Sequence, residues 1–200
     1  MKQSYHHGNL KESLVQAALQ IVEKEGWHAI TLRELSAQLG TSRSAIYRHF
    51  DSKESLMQAV IFAGFELLEN TIAPIVHLHN KSVAERLNLM GHAYLEFALQ
   101  HPNIYRMLFG HELQNEREEQ CDMNDETQAT GFYALIKLLT EGQESGFFKK
   151  NDPLLQAITI WSMVHGIANL LIDGHVHIQD NIEAIYTMGV QTLLEGLSAK

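Results

Sequence analysis

Apolar residues recur at helical spacing along nearly the whole chain. Leu14, Ala17, Ala18, Ile21 and Val22 fall on one face of a helix expected over 10–25, which Gly26 ends. A second helix is expected after Thr31. Thr31-x-x-Glu34 has the spacing of a capping box, in which each side chain meets the other's free backbone N–H, and Ile30 and Leu35 flank it as a hydrophobic staple. Leu32, Leu35, Ser36 and Leu39 then face inward, and Gly40 stops the helix. Thr41 or Ser42 caps a third helix running to about Phe50, and Asp51-Ser52 caps a fourth over 53–71. Further helices are expected over 82–100, 103–109, 126–145, 153–173 and 181–197. The three prolines, Pro74, Pro102 and Pro153, each sit where a helical pattern breaks. The expected fold class is all-α.

The stretch from Leu32 to Phe50 has helix-turn-helix spacing. Ser36 is small enough for two helices to approach, Gly40 turns the chain, and Ile46 anchors the next helix in the core. With Ile46 at the centre of the buried face, a rotation of about 100° per residue places Phe50 beside it. Ser44 and Arg48 then point the opposite way, flanked by Ala45 and Tyr47. Small residues, a guanidinium group and a phenol suit close approach to a major groove. Lys53 opposes the helix dipole in the first turn of the fourth helix, a position that a phosphate partner would explain, and Thr31 offers a hydroxyl in the same way.

The overall charge of −9 runs against DNA binding until the chain is divided. Residues 1–53 hold seven Lys or Arg against five Asp or Glu, with His6, His7, His28 and His49 beside them, whereas 54–200 hold eight against nineteen. Only the N-terminal end can therefore face DNA, and a packaging protein, basic over most of its surface, is disfavoured. Hydrophobic residues at 45% provide for a core. The lone Cys121, among Glu116, Glu118, Glu119 and Asp122, cannot form an internal disulfide and fits a reducing cytoplasm. Those carboxylates would raise its pKa rather than activate it. Residues 1–9 are polar, unlike a signal core, and no eighteen consecutive residues are apolar, so no membrane span is expected.

The run Ala29 to Lys53, AITLRELSAQLGTSRSAIYRHFDSK, resembles the signature of the tetracycline-repressor (TetR) family of transcriptional regulators. YHHGNL from Tyr5 to Leu10 is similar to the opening of one branch of that family. The resemblance implies operator contacts by Thr31, Arg33, Ser42, Arg43, Ser44, Ala45, Tyr47, Arg48, His49 and Lys53. It implies that Tyr47, His49 and Lys53 chiefly meet phosphates, while Arg33 and the start of the third helix meet bases. HPNIYRMLF from His101 and WSMVHG from Trp161 resemble a Trp-His-Gly type of C-terminal domain in the same family. The expected organisation is a helix-turn-helix domain over 1–52 and a larger helical effector-binding and dimerisation domain over 53–200, with the fourth helix as linker.

The stretch from Leu154 to Ile172 is apolar on nearly every side, which predicts burial all round. The last helix adds Ile182, Ile185, Met188, Val190, Leu193 and Leu194, with Gly189 allowing a close crossing. A chain of this size can hardly cover both, so they are expected to meet their copies across a two-fold axis. Phe65, Met90, Tyr94, Phe97, Tyr105, Phe109, Tyr133, Trp161 and His165 are candidates to line an effector cavity; Phe62 shares their character. The expected partners are operator DNA, a second copy and a small-molecule effector, with no cofactor or metal. The competing reading is a metal-dependent enzyme using Asp173, His175, His177 and Asp180, with His77 and His79 a similar pair. No His-Glu-x-x-His motif, paired-cysteine motif, Gly-x-Ser-x-Gly elbow or phosphate-binding glycine loop supports an enzyme.

Overall fold

The computed structural model describes residues 10–113, 131–176 and 181–198. Residues 5–9, Cys121 with its acidic neighbours, the expected helix start at 126, and His177 and Asp180 lie outside them. Nine α-helices carry the described chain: α1 Leu10–Glu25, α2 Leu32–Gln38, α3 Arg43–Ile46, α4 Lys53–Ile72 and α5 Val83–Gln100, then α6 Pro102–Phe109, α7 Gly131–Glu144, α8 Pro153–Ile172 and α9 Ile182–Leu197. Short 3-10 turns occupy Trp27–Ala29, Ala73–His77 and His111–Leu113. Among the described residues the only extended pairing is one bridge, Phe148 with Ser198. The fold is all-α.

Packing divides the chain into two compact units. The first holds the described residues up to 67 together with 101–113, and the second holds 68–100 with those from 131 onward. Helix α4 contributes to both. In the first unit Leu14, Ala18, Val22, Ile30, Leu35 and Ile46 are buried to within about 1% of fully, so α1, α2 and α3 share one small core. Helix α6 packs on α1, fixed by the Asn103 amide donating to the Glu23 carbonyl at 3.1 Å and by His101 Nδ1 at 2.9 Å from Glu23 Oε1.

The second unit is built on α5, α7 and α8, with α9 packed against α5 and α8. Ser82 and Glu85 form a complete capping box at the start of α5: Ser82 Oγ accepts the Glu85 N–H, and Glu85 Oε2 accepts from the Ser82 N–H and Oγ–H. Arg86, 2% exposed, donates to the Val76 carbonyl and makes a forked pair with Glu141 of α7. The Arg86 hydrogen bond holds the Glu141 carboxyl below the usual carboxylate range.

Helix α8 departs from the expected burial all round. Ala157, Ile160, Val164 and Ala168 are buried, yet Leu154, Leu155, Ile158 and Leu170 are exposed. The unit's other helices cover one side of α8 only. With Lys53–His77, α8 is one of two described segments long and apolar enough to cross a membrane. In α8 that hydropathy comes partly from packing residues and partly from the open apolar face.

Candidate nucleic-acid interface

Each local signal around α2 and α3 reappears as a specific contact. Thr31 Oγ1 accepts the Glu34 N–H at 3.1 Å, and Ile30 and Leu35 are fully buried on either side of that cap. Helix α2 closes as a Schellman motif: Thr41 N–H bonds the Ser36 carbonyl, Gly40 N–H bonds the Ala37 carbonyl, and Gly40 takes φ +60°. Of the two candidate caps for α3, Ser42 serves. Its Oγ accepts the Ala45 N–H at 3.2 Å and sits 2.9 Å from Ser44 Oγ.

Helix α3 is shorter than the sequence pattern predicts. It ends at Ile46 rather than near Phe50, and Tyr47, Arg48 and His49 form turns. The amides of His49 and Phe50 both bond the Ile46 carbonyl, which tightens the chain and returns Phe50 to the core at 5% exposure. Arg48 and His49 therefore project from a turn and not from a regular helix. Ser52 then starts α4 by accepting the Ser55 N–H at 3.1 Å.

The ten expected contact residues lie in this segment, and all but the half-buried Ala45 are exposed. Tyr47 is 52% exposed, unusual for a ring unless its hydroxyl or face has work outside the protein. Among the described residues Arg33, Arg43, Arg48 and Lys53 make no ion pair. Lys11 is held over the Phe50 ring at 5.6 Å. Glu54, beside Lys53, is engaged locally: its backbone N–H, then the Ser52 hydroxyl, hold its carboxyl below the usual range. The sequence reading missed this carboxylate, which eases the unfavourable placing of Lys53 at a helix N-terminus.

The candidate effector residues divide between the two units. Phe65, Tyr105 and Phe109 belong to the first, where the Phe109 ring lies 5.8 Å from Phe65 and 4.9 Å from Tyr105. Met90, Tyr94, Phe97, Tyr133, Trp161 and His165 belong to the second. There Trp161 Nε1 donates to the Tyr94 hydroxyl at 3.2 Å, and that hydroxyl lies 2.9 Å from His165 Nδ1. A separate small apolar cavity lies between α5, α8 and α9, bordered by Leu87, Ile160, Val164, Tyr186 and Leu194. It has about 20 Å³ of space for water-sized centres and is lined by none of the nine candidates. Asp173 and His175 are exposed after α8, and no group of three potential metal ligands occurs among the described residues.

The comparisons with known proteins agree with this site. Residues 14–60 match the family described as "Bacterial regulatory proteins, tetR family", and residues 87–193 match "Tetracyclin repressor-like, C-terminal domain". An uncharacterized HTH-type transcriptional regulator of Mycobacterium tuberculosis is 27% identical over 197 residues, covering 95% of this chain and 82% of that one. The nucleoid occlusion factor SlmA of Vibrio campbellii is 36% identical over 115 residues, 57% of this chain and 58% of its own length. Two solved structures share the fold. A protein of unknown function from Rhodococcus sp. RHA1 has TM-score 0.79 and 24% identity, covering 99% of this chain and all of that one. The Flavonoid-responsive Regulator FrrA has TM-score 0.70 and 20% identity, covering 96% and 99%. None of these supports the metal-enzyme reading. The chain belongs to the TetR family of DNA-binding transcriptional regulators.

Proposed function

We propose that the chain acts in the cytoplasm as a homodimeric repressor that binds a palindromic operator and is released by a small-molecule effector. The observation that carries the DNA contact is the cluster of exposed, internally uncommitted cations around α3, backed by Ile46 and Phe50. Arg33, Arg43, Ser44 and Ala45 read bases, while Thr31, Ser42, Tyr47, Arg48, His49 and Lys53 hold the backbone. A second copy packs on the open face of α8, where Leu155 is 59% exposed, with Met188 of α9 at 65%. Two α3 segments then enter successive major grooves about 34 Å apart. The effector binds among the second unit's aromatic side chains and acts through α4, which contributes to both units. By linkage, operator DNA weakens effector binding by the same factor.

Selection from a random DNA pool tests the reading by returning an imperfect palindrome. Arg33→Ala or Arg43→Ala relaxes base preference by about 1–3 kcal/mol per lost contact. Lys53→Ala or Tyr47→Ala weakens all sequences alike, and Lys53→Ala lowers the salt slope by about one. Unchanged operator affinity in all four variants at fixed salt would overturn the assignment.

A further inference from the structure

Helix α8 places Trp161 and His165 one turn apart, so both rings leave it on the same side. A single hydroxyl from α5 joins them. Tyr94, 6% exposed, accepts the Trp161 Nε1–H and lies within hydrogen-bond reach of His165 Nδ1. Burial holds the His165 imidazole below its ordinary value, so it is neutral at pH 7. Nδ1 then accepts the Tyr94 proton, and the ring's own proton sits on Nε2. Phe132, at the start of α7, meets Trp161 edge-on at 5.8 Å, and the Trp161 and His165 rings are 5.3 Å apart. Phe132, Trp161 and His165 are each half-buried, whereas the packing side of α8 is closed.

The chemistry of this cluster is selective. Accessible aromatic rings receive a planar aromatic partner, and the hydroxyl–imidazole chain orients one polar group. Charge is disfavoured. Arg86, two turns earlier on α5, is committed to Glu141 and the Val76 carbonyl, and the cluster itself contains no cation, so an anion would lose its water without gaining a counter-charge. We propose that Tyr94, Trp161, His165 and Phe132 form a binding site for a neutral planar aromatic molecule carrying one hydroxyl or carbonyl. The assignment rests on the effector reading above and adds the ligand's chemical class.

Three matched probes test it by calorimetry on the full chain at pH 7: naphthalene, 2-naphthol and 2-naphthoate. 2-Naphthol should bind about tenfold tighter than naphthalene, the difference one net hydrogen bond supplies, and at least about tenfold tighter than 2-naphthoate. Tyr94→Phe should remove the advantage over naphthalene while leaving naphthalene affinity within about twofold. His165→Gln provides a second variant should Tyr94→Phe disturb folding. In a Trp27→Phe background Trp161 is the remaining tryptophan, and its emission should shift on 2-naphthol binding. Three results would overturn the site: 2-naphthoate binding as tightly as 2-naphthol, no preference for 2-naphthol over naphthalene, or a preference that survives both substitutions. Operator selection on the same preparation keeps the readings apart. Palindrome selection without the probe pattern removes only this site, whereas the probe pattern with unchanged operator affinity removes the effector reading and keeps the site.

Discussion

The pairing of Arg86 with Glu141 predicts that the more exposed partner is the costlier one to neutralise. Arg86 is almost fully buried, while the Glu141 side chain is 45% exposed. Glu141→Gln leaves a guanidinium inside the unit with no counter-charge. Breaking a buried pair in this way costs about 3–5 kcal/mol, and the glutamine oxygen, still able to accept, puts the expected value near the lower end, about 3 kcal/mol. Arg86→Met removes the buried charge itself, keeps the apolar volume, and lets Glu141 turn to water. What remains is the Val76 carbonyl without its donor, worth about 1–2 kcal/mol. Urea unfolding followed by circular dichroism, at one fixed protein concentration, measures both. The acid limb gives a second check. The Glu141 carboxyl is depressed in the folded state, so its contribution is present above the ordinary value of 4.5 and is lost as pH falls through the lower folded value. The difference between wild type and Glu141→Gln should therefore shrink below about pH 4.5. If Arg86→Met proves the more destabilising at pH 7, the argument from desolvation is wrong.

Three further outcomes follow from single groups. Glu69, whose Oε2 is buried without a partner and whose carboxyl burial pushes up to about 7, binds its proton more tightly folded than unfolded; stability should fall as pH rises from about 4.5 to 7. Glu69→Gln should flatten that decline, by on the order of 1–2 kcal/mol after discounting for partial exposure, in melts at stepped pH. Gly40→Ala forces a side chain into φ +60° and should cost about 1–2 kcal/mol in thermal unfolding, against no loss for a residue indifferent to the turn. Leu155→Glu, on the open face of α8, should yield a monomeric mass by sedimentation with little loss of helicity; an undiminished dimer would place the association surface elsewhere.

What the sequence disclosed was mainly what one or two turns of chain decide. Thr31, Gly40 and Ser52 each act on a backbone group within about a turn, so their spacing alone exposed the ends of α2 and the start of α4. The early end of α3 escaped because it depends on two amides sharing the Ile46 carbonyl, which leaves no mark on residue periodicity. The open face of α8 escaped for another reason: its apolar residues are alike in composition whether a neighbouring helix covers them or not. Arg86 and Glu141 stand 55 positions apart, and Tyr94 and His165 stand 71 apart. Helical periodicity marked Arg86 as a cation on an apolar face and His165 as a histidine on another, but pairing across helices is set by packing alone.

The brevity of α3 constrains how the reading surface works. Four residues lie far below the length at which a helix persists unaided, because nucleation fixes several dihedrals for each first hydrogen bond. Its shape is held instead by the Ser42 cap in front, Ile46 and Phe50 behind, and the return of the chain into the Ser52–Ser55 start of α4. The side chains that face outward contribute almost nothing to that scaffold. Arg43, Ser44, Arg48 and His49 are thus open to substitution at small cost to folding, while Ile46 and Phe50 are not. A surface built this way can change its DNA sequence preference without changing its fold. The cations that meet DNA need no release from protein partners first, and only their side-chain entropy stands between the free and bound forms.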